Sequence, residues 1–261
     1  MLLTSTEYHN AHAQEYDAGY DAPYWRIYNE ITWKYIRPCL PKNKRKSLIL
    51  DAGGGTGLWA IRIAKLGFKV VLADVSCGML KEARRKVEME GLQNAIEIVK
   101  ADITNLKSFK TGAFDLTLAE GDPVSYCDNP KRAVSELARV TKRGGFVTVS
   151  VDNKLRWAFR ELKMHDFQKA DKVLRKGIGD MQGNDHFFPA HMFTIEELQA
   201  LFRRNKLKPV KSIGKPVWAT GEDYLNDVEV YERVLEFELR FSSLPSVAGA
   251  GGHIAIVGQK N

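Results

Sequence analysis

Residues 48–57 of the 261-residue sequence read LILDAGGGTG, and this stretch decides the fold. Leu48 to Leu50 form a compact apolar run that predicts a buried strand, which ends at Asp51. The glycines that follow allow a sharp turn and a close approach of the backbone to a ligand. Residues 58–66 then show the apolar spacing of a helix. A strand, a glycine-rich turn and a helix in this order predict the start of an α/β sheet.

The alternation of strands and helices continues outward from this stretch. Because the predicted strands are almost continuously apolar, we expect a parallel sheet that helices cover on both faces. Two more strands near the C-terminal end give a doubly wound, mostly parallel, Rossmann-like sheet of seven strands. The strands are predicted at 48–50, 70–73, 96–101, 114–119, 146–151, 208–213 and 253–258, and helices at 58–66, 77–90 and from 129 to about 143.

Four consecutive predicted strands end in a carboxylate: Asp51, Asp74, Asp102 and Glu120. Ligands of such sheets bind beyond the carboxyl ends of the strands, so we expect these groups at one site. Asp51 lies where it can hold a cationic ammonium group, and the start of the following helix favours a negative group. Asp74 lies where an acidic residue accepts hydrogen bonds from ribose hydroxyls, and Asp102 can accept one from the exocyclic amine of adenine.

The sequence resembles the class I S-adenosylmethionine-dependent methyltransferases, and most of all their small-molecule group of ubiquinone and sterol type. The resemblance covers about residues 14–152 and continues plausibly through 194–258. Five segments carry it: LILDAGGGTG at 48–57, VVLADVSCGML at 70–80, KADI at 100–103, FDLTLAEGD at 114–122 and LARVTKRGGFVTVS at 137–150.

The resemblance implies S-adenosyl-L-methionine as cofactor and direct displacement of its methyl group by a small-molecule acceptor. It places the glycine turn at the methionine end, Asp74 at the ribose, and Asp102 with Ile103 at the adenine. The segment AQEYD at 13–17 resembles an N-terminal Tyr-Asp element of the family, so Tyr16 is expected to close over the cofactor. The cofactor-binding residues expected are Tyr16, Asp51, Gly53, Gly54, Gly55, Gly57, Asp74, Val75, Met79, Asp102, Ile103 and Glu120.

Substrate-binding residues are expected at Asp122 and Tyr126, after the fourth strand, and at His186 and His191 farther along the chain. We assign no catalytic residue, because a sulfonium methyl group is already activated and a base is needed only where the nucleophile must lose a proton. The spacing of the two histidines occurs in some metal sites. With no cysteine or further histidine nearby, no metal is predicted.

A nicotinamide-binding oxidoreductase is the closest rival class. Gly55 to Ala60 fits the relaxed Gly-x-Gly-x-x-Ala pattern of dinucleotide-binding domains. That pattern gives no role to Asp51 or Asp102, and the charge of Asp51 would repel a pyrophosphate. A module that binds the cofactor without catalysis is a further alternative.

An RNA or protein methyltransferase is the second hypothesis, because the surplus of positive charge is local. The chain has 39 basic and 32 acidic residues, a formal charge of +7, and residues 153–217 contain 14 basic against 7 acidic residues. The basic residues of interest there are Arg156, Arg160, Lys163, Lys169, Lys172, Arg175 and Lys176. A solvated helix face is favoured over a nucleic-acid surface, because no aromatic platform lies between these charges.

The predicted division of the chain has four parts. An N-terminal helical segment (1–47) contains a helix at 23–37 and precedes the cofactor-binding core (48–152). An inserted cap or lid (153–193) contains a helix from about 155 to 176 and a loop at 177–193. The last part (194–261) completes the sheet, with a Thr194-x-x-Glu197 capping box before a helix at 195–206 and another helix at about 222–241.

Composition excludes several classes of protein. A content of 44% hydrophobic and 27% charged residues is that of a globular chain, and neither a secretory signal nor an apolar run long enough for a membrane helix is expected. Three cysteines do not make a disulfide framework, so a cytoplasmic location is predicted. The choice between monomer and dimer stays open.

Overall fold

A computed structural model describes residues 3–183, 186–219 and 223–261 of the chain. The strands are β1 (Leu48–Ala52), β2 (Lys69–Asp74), β3 (Ile96–Lys100), β4 (Phe114–Ala119), β5 (Thr141–Asp152), β6 (Ile178–Gly183), β7 (His186–His191), β8 (Leu207–Lys215) and β9 (His253–Lys260). The helices are α1 (Ser5–His12), α2 (Pro23–Ile36), α3 (Leu58–Ala64), α4 (Cys77–Met89), α5 (Pro123–Tyr126), α6 (Pro130–Val140), α7 (Lys154–Lys163), α8 (Phe167–Lys176), α9 (Ile195–Arg204), α10 (Val228–Phe241) and α11 (Pro245–Ala248). Short 3₁₀ turns lie at Tyr16–Asp21, Arg37–Cys39, Lys44–Lys46 and Asp223–Asn226.

The central sheet has seven strands in the order β3-β2-β1-β4-β5-β9-β8. The first five pair in parallel, and β9 pairs antiparallel with both β5 and β8. The predicted fold class is therefore confirmed. Chain order reverses between the neighbours β1 and β4, which makes the crevice at their carboxyl ends the expected ligand site of such a sheet.

Two apolar layers cover the sheet, and β1 shows why. Ile49 packs with α2, α3 and α4 on one face, while its neighbour Leu50 packs with α6 and α9 on the other. Both side chains are fully buried, as successive residues of a strand covered on both faces must be. A continuous apolar run is the sequence signature of this arrangement.

Residues 154–191 form α7, α8, β6 and β7 between β5 and α9, and they differ from prediction in two ways. The helix predicted from 155 to 176 is two helices, separated where His165 takes a left-handed backbone (φ 58°). The loop predicted at 177–193 is wrong: β6 and β7 form an antiparallel hairpin, with Asp180 opposite Pro189. Cross-strand pairing and the burial of Ala190 and Met192 against α7 and α8 outweigh the local preference for turns.

The N-terminal helix α1 was not expected from the sequence. Thr4 caps it, because the Thr4 hydroxyl accepts a hydrogen bond from Glu7 N while the Glu7 carboxylate accepts one from Thr4 N. The other predicted helices and strands are present with shifted ends, and the Thr194–Glu197 capping box is formed. Residue 222 of the last predicted helix lies outside the described residues.

No helix in the described part of the chain combines the length and the apolar character that crossing a bilayer requires. The division of the chain at residues 47, 152 and 193 stays a prediction.

Candidate functional site

A cavity of about 260 Å³ opens where β1, β2 and β4 end. Its floor includes the glycine turn after β1, which packs closely against the start of α5. Gly53 has a left-handed backbone (φ 71°), and a Cβ atom at this position would lie 2.4 Å from Pro123 Cβ. Of the residues predicted from the sequence, those that line this cavity are Tyr16, Gly53, Gly55, Asp74, Val75, Met79, Asp102, Ile103 and Tyr126.

Asp74 joins the glycine turn to the end of β2. Its Oδ2 accepts a hydrogen bond from Gly55 N at 2.9 Å, and its Oδ1 accepts one from Ser76 N at 2.8 Å. Burial raises the pKa of Asp74, although the backbone donors counteract this increase. The carboxylate therefore shapes the cavity as well as lining it.

The opposite wall combines an exposed carboxylate with apolar side chains. Asp102 is exposed, and its Oδ1 accepts a hydrogen bond from Thr104 N at 2.7 Å. Ile103 and Met79 are buried and present apolar surface to the same cavity. A flat ring with an exocyclic amine matches this combination of apolar wall and acceptor group.

Asp51 does not reach the cavity. Its Oδ2 accepts a hydrogen bond from Ala60 N at 3.0 Å, and a Cβ atom on Gly54 would lie 2.9 Å from the same oxygen. The side chain is fully buried behind the turn, which raises the pKa of Asp51 to about 7. The expected contact with an ammonium group is thus not formed in this geometry, and Asp51 instead ties α3 to the end of β1. Gly54 and Gly57 also lie outside this cavity.

Glu120 lies in a buried ion pair. Its Oε2 accepts hydrogen bonds from the Tyr35 hydroxyl and, at 2.8 Å, from Lys215 Nζ. Lys215 also donates to Thr32 Oγ1 at 3.0 Å, and neither side chain of the ion pair is exposed. Glu120 therefore faces a second cavity of about 710 Å³ rather than the first one.

The two cavities meet at four residues that line both of them: Tyr16, Gly53, Gly55 and Gly121. The hydroxyl groups of Tyr16 and Tyr20 lie 3.0 Å apart above this junction. Burial raises the pKa of Tyr16 to about 12, so that its hydroxyl is neutral and can donate a hydrogen bond. A ligand with two chemically different ends can thus extend from one cavity into the other.

Asp122 is next to this junction, but a group that was not predicted shares its site. His253 Nδ1 lies 2.8 Å from Asp122 Oδ2 and 3.6 Å from Asp152 Oδ1, and the three side chains are buried. Burial alone would raise the pKa of Asp122, yet the charge and hydrogen bond of His253, together with Lys215 and Ser150, outweigh it and the pKa is lowered. Asp152 and His253 are cross-strand partners in β5 and β9. No sequence motif indicates this pairing register.

The predicted histidines lie outside both cavities. His186 has its ring centroid 5.6 Å from that of His12, on the hairpin side of α1. His191 ends β7, and burial lowers its pKa. A role for either residue in binding a substrate in these cavities is therefore not supported by their positions.

Helix α1 closes the first cavity with residues that the sequence did not single out, namely Thr4, Ser5, Thr6 and His9. His9 Nδ1 lies 2.7 Å from Ser5 O, so this nitrogen donates a hydrogen bond and carries the proton of the neutral ring. Burial lowers the pKa of His9, which favours that neutral form. Only the helical capping pattern Thr4-x-x-Glu7 could have indicated an ordered segment here.

Most of the basic side chains on α7 and α8 form ion pairs with acidic side chains beside them. Arg160 contacts Glu161, Lys169 contacts Asp166, Lys172 contacts Asp180 and Arg175 contacts Asp171, at 2.6–3.4 Å. Each of these pairs is locally neutral, so of the seven basic residues singled out above only Arg156, Lys163 and Lys176 have no ion-pair partner among the described residues. Such exposed pairs contribute little to stability.

Comparison with known proteins agrees with this geometry. The family described as "Methyltransferase domain" matches residues 49–145. The "tRNA 5-carboxymethoxyuridine methyltransferase" of Escherichia coli strain K12 is 27% identical over 124 residues, 47% of each chain. The "Ubiquinone/menaquinone biosynthesis C-methyltransferase UbiE" of Zymomonas mobilis is 28% identical over 208 residues, 77% of this chain and 80% of the relative. The chain spans about half the length of the first of the curated relatives it matches.

Among solved structures, a methyltransferase from Thermotoga maritima, described as a possible histamine N-methyltransferase, superposes with a TM-score of 0.62. The match covers 98% of this chain and 100% of that one, at 21% identity. At this identity the likeness shows a shared fold and no more.

Proposed function

Since residues 49–145 form a methyltransferase domain of the class I S-adenosylmethionine-dependent family, we propose that the protein methylates a small molecule with S-adenosylmethionine as methyl donor. The observation that carries this proposal is the cavity at the ends of β1, β2 and β4. It combines the carboxylate of Asp74, the backbone of the glycine turn and the wall of Asp102 and Ile103.

The residues of the two joined cavities fit this cofactor. Asp74 is placed to accept hydrogen bonds from ribose hydroxyls, and the exposed Asp102 carboxylate to accept one from an adenine amine. Ile103 and Met79 supply the apolar surface that a purine ring needs. The amino acid end would pass the junction at Gly53 and lie under Tyr16, while Asp51 supports the turn from behind without touching the ligand.

When bound, S-adenosylmethionine supplies a methyl group that is already activated toward a nucleophile. The residues of this chain then have to bind and orient the cofactor and the acceptor and to exclude water from the site, rather than to activate the donor. Helix α1 covers the first cavity, and Tyr16 covers the junction where the methyl group would face Gly121 and Tyr126. The substrate-binding residues that we retain from the sequence are Asp122 and Tyr126.

A small molecule is the favoured acceptor because the junction is enclosed. Tyr126 lies between His9 of α1 and Phe188 of β7, in a tilted contact at 5.8 Å and an edge-to-face contact at 5.3 Å between ring centroids. An approach from this side has to pass α1 and the β6–β7 hairpin, which leaves little width for a polymer.

The cytoplasmic location stays a prediction from the three cysteines, which are free in the structure.

An RNA substrate is the second candidate, because one relative is a tRNA methyltransferase. The pairing of Arg160, Lys169, Lys172 and Arg175 with nearby acids argues against a phosphate-binding surface on α7 and α8. Fluorescence anisotropy with labelled bulk tRNA, repeated across salt concentrations, distinguishes the two cases. Tight binding with a steep salt dependence, lost on reversing the charge of Arg156 and Lys163, would favour RNA.

The proposal is tested by calorimetric titration of the full chain with S-adenosylmethionine, S-adenosylhomocysteine and NADPH. We expect both sulfur compounds to bind and NADPH not to bind. Asp74→Asn should weaken the binding of S-adenosylhomocysteine at least tenfold. Asp171→Asn, on the exposed face of α8, should leave this affinity unchanged. Binding of NADPH without binding of S-adenosylmethionine would instead establish the nicotinamide alternative.

A further inference from the structure

Asp122, Asp152 and His253 form a buried cluster directly beside the junction of the two cavities, which we call the carboxylate–histidine cluster. One ligand-type atom from each residue lies within 4.8 Å of the others. Asp122 follows Gly121, which lines both cavities, and the charge of Asp152 contributes to the raised pKa of Tyr126, which lines the first. The cluster therefore lies immediately behind the wall where an acceptor would meet the methyl group.

The charges in this region leave one carboxylate uncompensated. Lys215 neutralises Glu120, and His253 neutralises Asp122 across 2.8 Å. Asp152 is about 1% exposed, and apart from the neighbouring Tyr126 hydroxyl no hydrogen-bond donor reaches its carboxylate among the described residues. Asp122 Oδ1 is without a partner there. Buried carboxylate oxygens are costly when unpaired, so this arrangement has room for one positive charge and its hydrogen-bond donors.

Aromatic rings surround the cluster. The ring centroid of His253 lies 5.1 Å from that of Tyr28 and 5.6 Å from that of Trp25. The rings of Tyr16 and Tyr20 are tilted against each other with centroids 5.3 Å apart, and the charge of Asp122 adds to burial in raising the pKa of both. Aromatic faces attract organic cations, and two carboxylates among such rings suit an ammonium group with an organic body.

We propose that the methyl acceptor is a cationic amine whose nitrogen binds at the Gly121–Tyr126 wall and is held there by the net negative charge of the carboxylate–histidine cluster, which Asp152 supplies. This inference rests on the proposed methyltransferase function. It narrows the substrate class to amines, which the family match does not. A divalent metal ion is the other ligand that the three side chains suit, and the aromatic surroundings, which offer few further oxygen donors, favour the amine.

The same residues account for the protons of the reaction. The ammonium group first transfers one proton, through the Tyr126 hydroxyl that lines the first cavity, to a carboxylate oxygen of Asp152, since burial raises the pKa of this residue to about 7. The lone pair of the neutral nitrogen then forms the N–C bond as the C–S bond breaks, and the electrons of that bond stay on sulfur. The product is an N-methylammonium ion and a neutral thioether, so charge and atoms balance.

Access to the cluster runs past the 3₁₀ turn at Tyr16–Asp21. None of its six residues is fully buried, although the side chains of Tyr16 and Tyr20 are half-buried. Polar contacts join it to the core: Asp17 accepts hydrogen bonds from Thr56 Oγ1 at 2.6 Å and from Lys86 Nζ at 2.7 Å. A segment with so few buried contacts can open at a low free-energy cost and admit an acceptor.

The test uses the full chain saturated with S-adenosylhomocysteine, titrated with 2-phenylethylamine, 2-phenylethanol and MnCl₂ in separate calorimetric experiments. The amine and the alcohol differ only in the group that carries the charge. We expect the amine to bind at least tenfold more tightly than the alcohol. Asp152→Asn should reduce the affinity for the amine at least tenfold without changing the affinity for S-adenosylhomocysteine, and Asp171→Asn should change neither.

Equal binding of the amine and the alcohol, or binding of neither, overturns the proposal while leaving the methyltransferase function in place. If Mn²⁺ binds but the amine does not, and Mn²⁺ binding is lost in Asp152→Asn, the proposal is overturned in favour of a metal site. Failure of S-adenosylhomocysteine itself to bind refutes the proposed function instead. The comparison of amine and alcohol in the unmodified chain decides the proposal even if Asp152→Asn does not fold.

Discussion

The side-chain oxygen of Asn10 lies 2.8 Å from the Ser76 hydroxyl, from which it accepts a hydrogen bond. The same oxygen accepts a second hydrogen bond from Gly78 N, also at 2.8 Å. These contacts join α1 to the turn between β2 and α4, which itself borders the first cavity at Ser76 and Met79. Asn10 thereby ties the N-terminal helix to the cofactor-binding side of the sheet, in addition to the ring contacts of Tyr8 and His9 with Phe188 and of His9 with Tyr126.

Removing this attachment should speed up release of the cofactor. In Asn10→Ala two hydrogen bonds are lost, each with a net contribution of about 1 kcal/mol, so we expect the dissociation rate of S-adenosylhomocysteine to rise roughly tenfold or more. Stopped-flow fluorescence measures this rate. Gln14→Ala, at an exposed position just beyond the same helix, serves as control, and an unchanged rate in Asn10→Ala would contradict the role of α1 as a cover.

The buried ion pair of Glu120 and Lys215 predicts a large loss of stability when one partner is removed. Lys215→Met leaves the Glu120 carboxylate buried without its cation, for which we expect a decrease of about 3–5 kcal/mol in the free energy of unfolding. Urea denaturation measures this value. Adding Glu120→Gln should recover part of the loss, whereas Lys211→Met, exposed on the same strand, should have little effect. A small loss in Lys215→Met would show that the pair is not desolvated.

The buried carboxyl group of Asp51 predicts a specific dependence of stability on pH. Burial raises its pKa from 3.8 to about 7, so between these values the folded chain binds a proton that the unfolded chain has lost. The contribution of Asp51 is therefore fully present below about pH 4 and is lost as the pH rises through 7. Relative to Asp51→Asn, the unmodified chain should become less stable over this interval.

Thermal unfolding of both proteins in parallel from pH 4 to pH 8 isolates this contribution, since the other titrating groups are common to the two. The amide of Asn can still accept the hydrogen bond from Ala60 N. A constant difference between the two proteins across the interval would mean that Asp51 is ionised in the folded chain throughout.

Two neighbouring phenylalanines of β7 provide a test substitution and a matched control for the packing of α1. Phe188 is buried and contacts Tyr8 and His9 of α1 as well as Tyr126, whereas Phe187 is partly exposed. Phe188→Ala should lower the free energy of unfolding by about 3 kcal/mol. It should also weaken the binding of S-adenosylhomocysteine, because the substitution removes the side chain that supports α1. Phe187→Ala should do neither. Denaturant unfolding and calorimetry report the two effects, and equal effects of both substitutions would rule out this packing.

The sheet and the first cavity were predictable because their signals are local. Buried strands are continuous apolar runs, as Ile49 and Leu50 illustrate, and strand ends such as Asp74 follow directly from them. The same signals do not predict the buried contacts of Asp51 and Glu120, which also end strands, and their contact with the cofactor stays a prediction. Their side chains turn toward Ala60 and Lys215, and nothing in the local sequence distinguishes a carboxylate that faces a cavity from one that faces a buried donor.

The parts that escaped prediction depend on contacts between distant segments. His253 meets Asp152 only through the register of β9 on β5, and Asp122 only through the end of β4. The β6–β7 hairpin contains glycine, proline and histidine, which locally favour turns, and it forms because its inner face packs against α7 and α8. Such pairings between distant segments cannot be predicted from a single sequence.

Strand β9 lies between β5 and β8 although it follows both in the chain. During synthesis on the ribosome, residues 141–152 and 207–215 thus emerge before the strand that joins them exists. Until residues 253–260 are translated, β5 has one open edge and β8 has no partner, and open edges recruit strands from other chains. The nascent polypeptide is therefore most prone to aggregate between the synthesis of β8 and that of β9, and this part of the sheet can form only after residues 253–260 have left the exit tunnel.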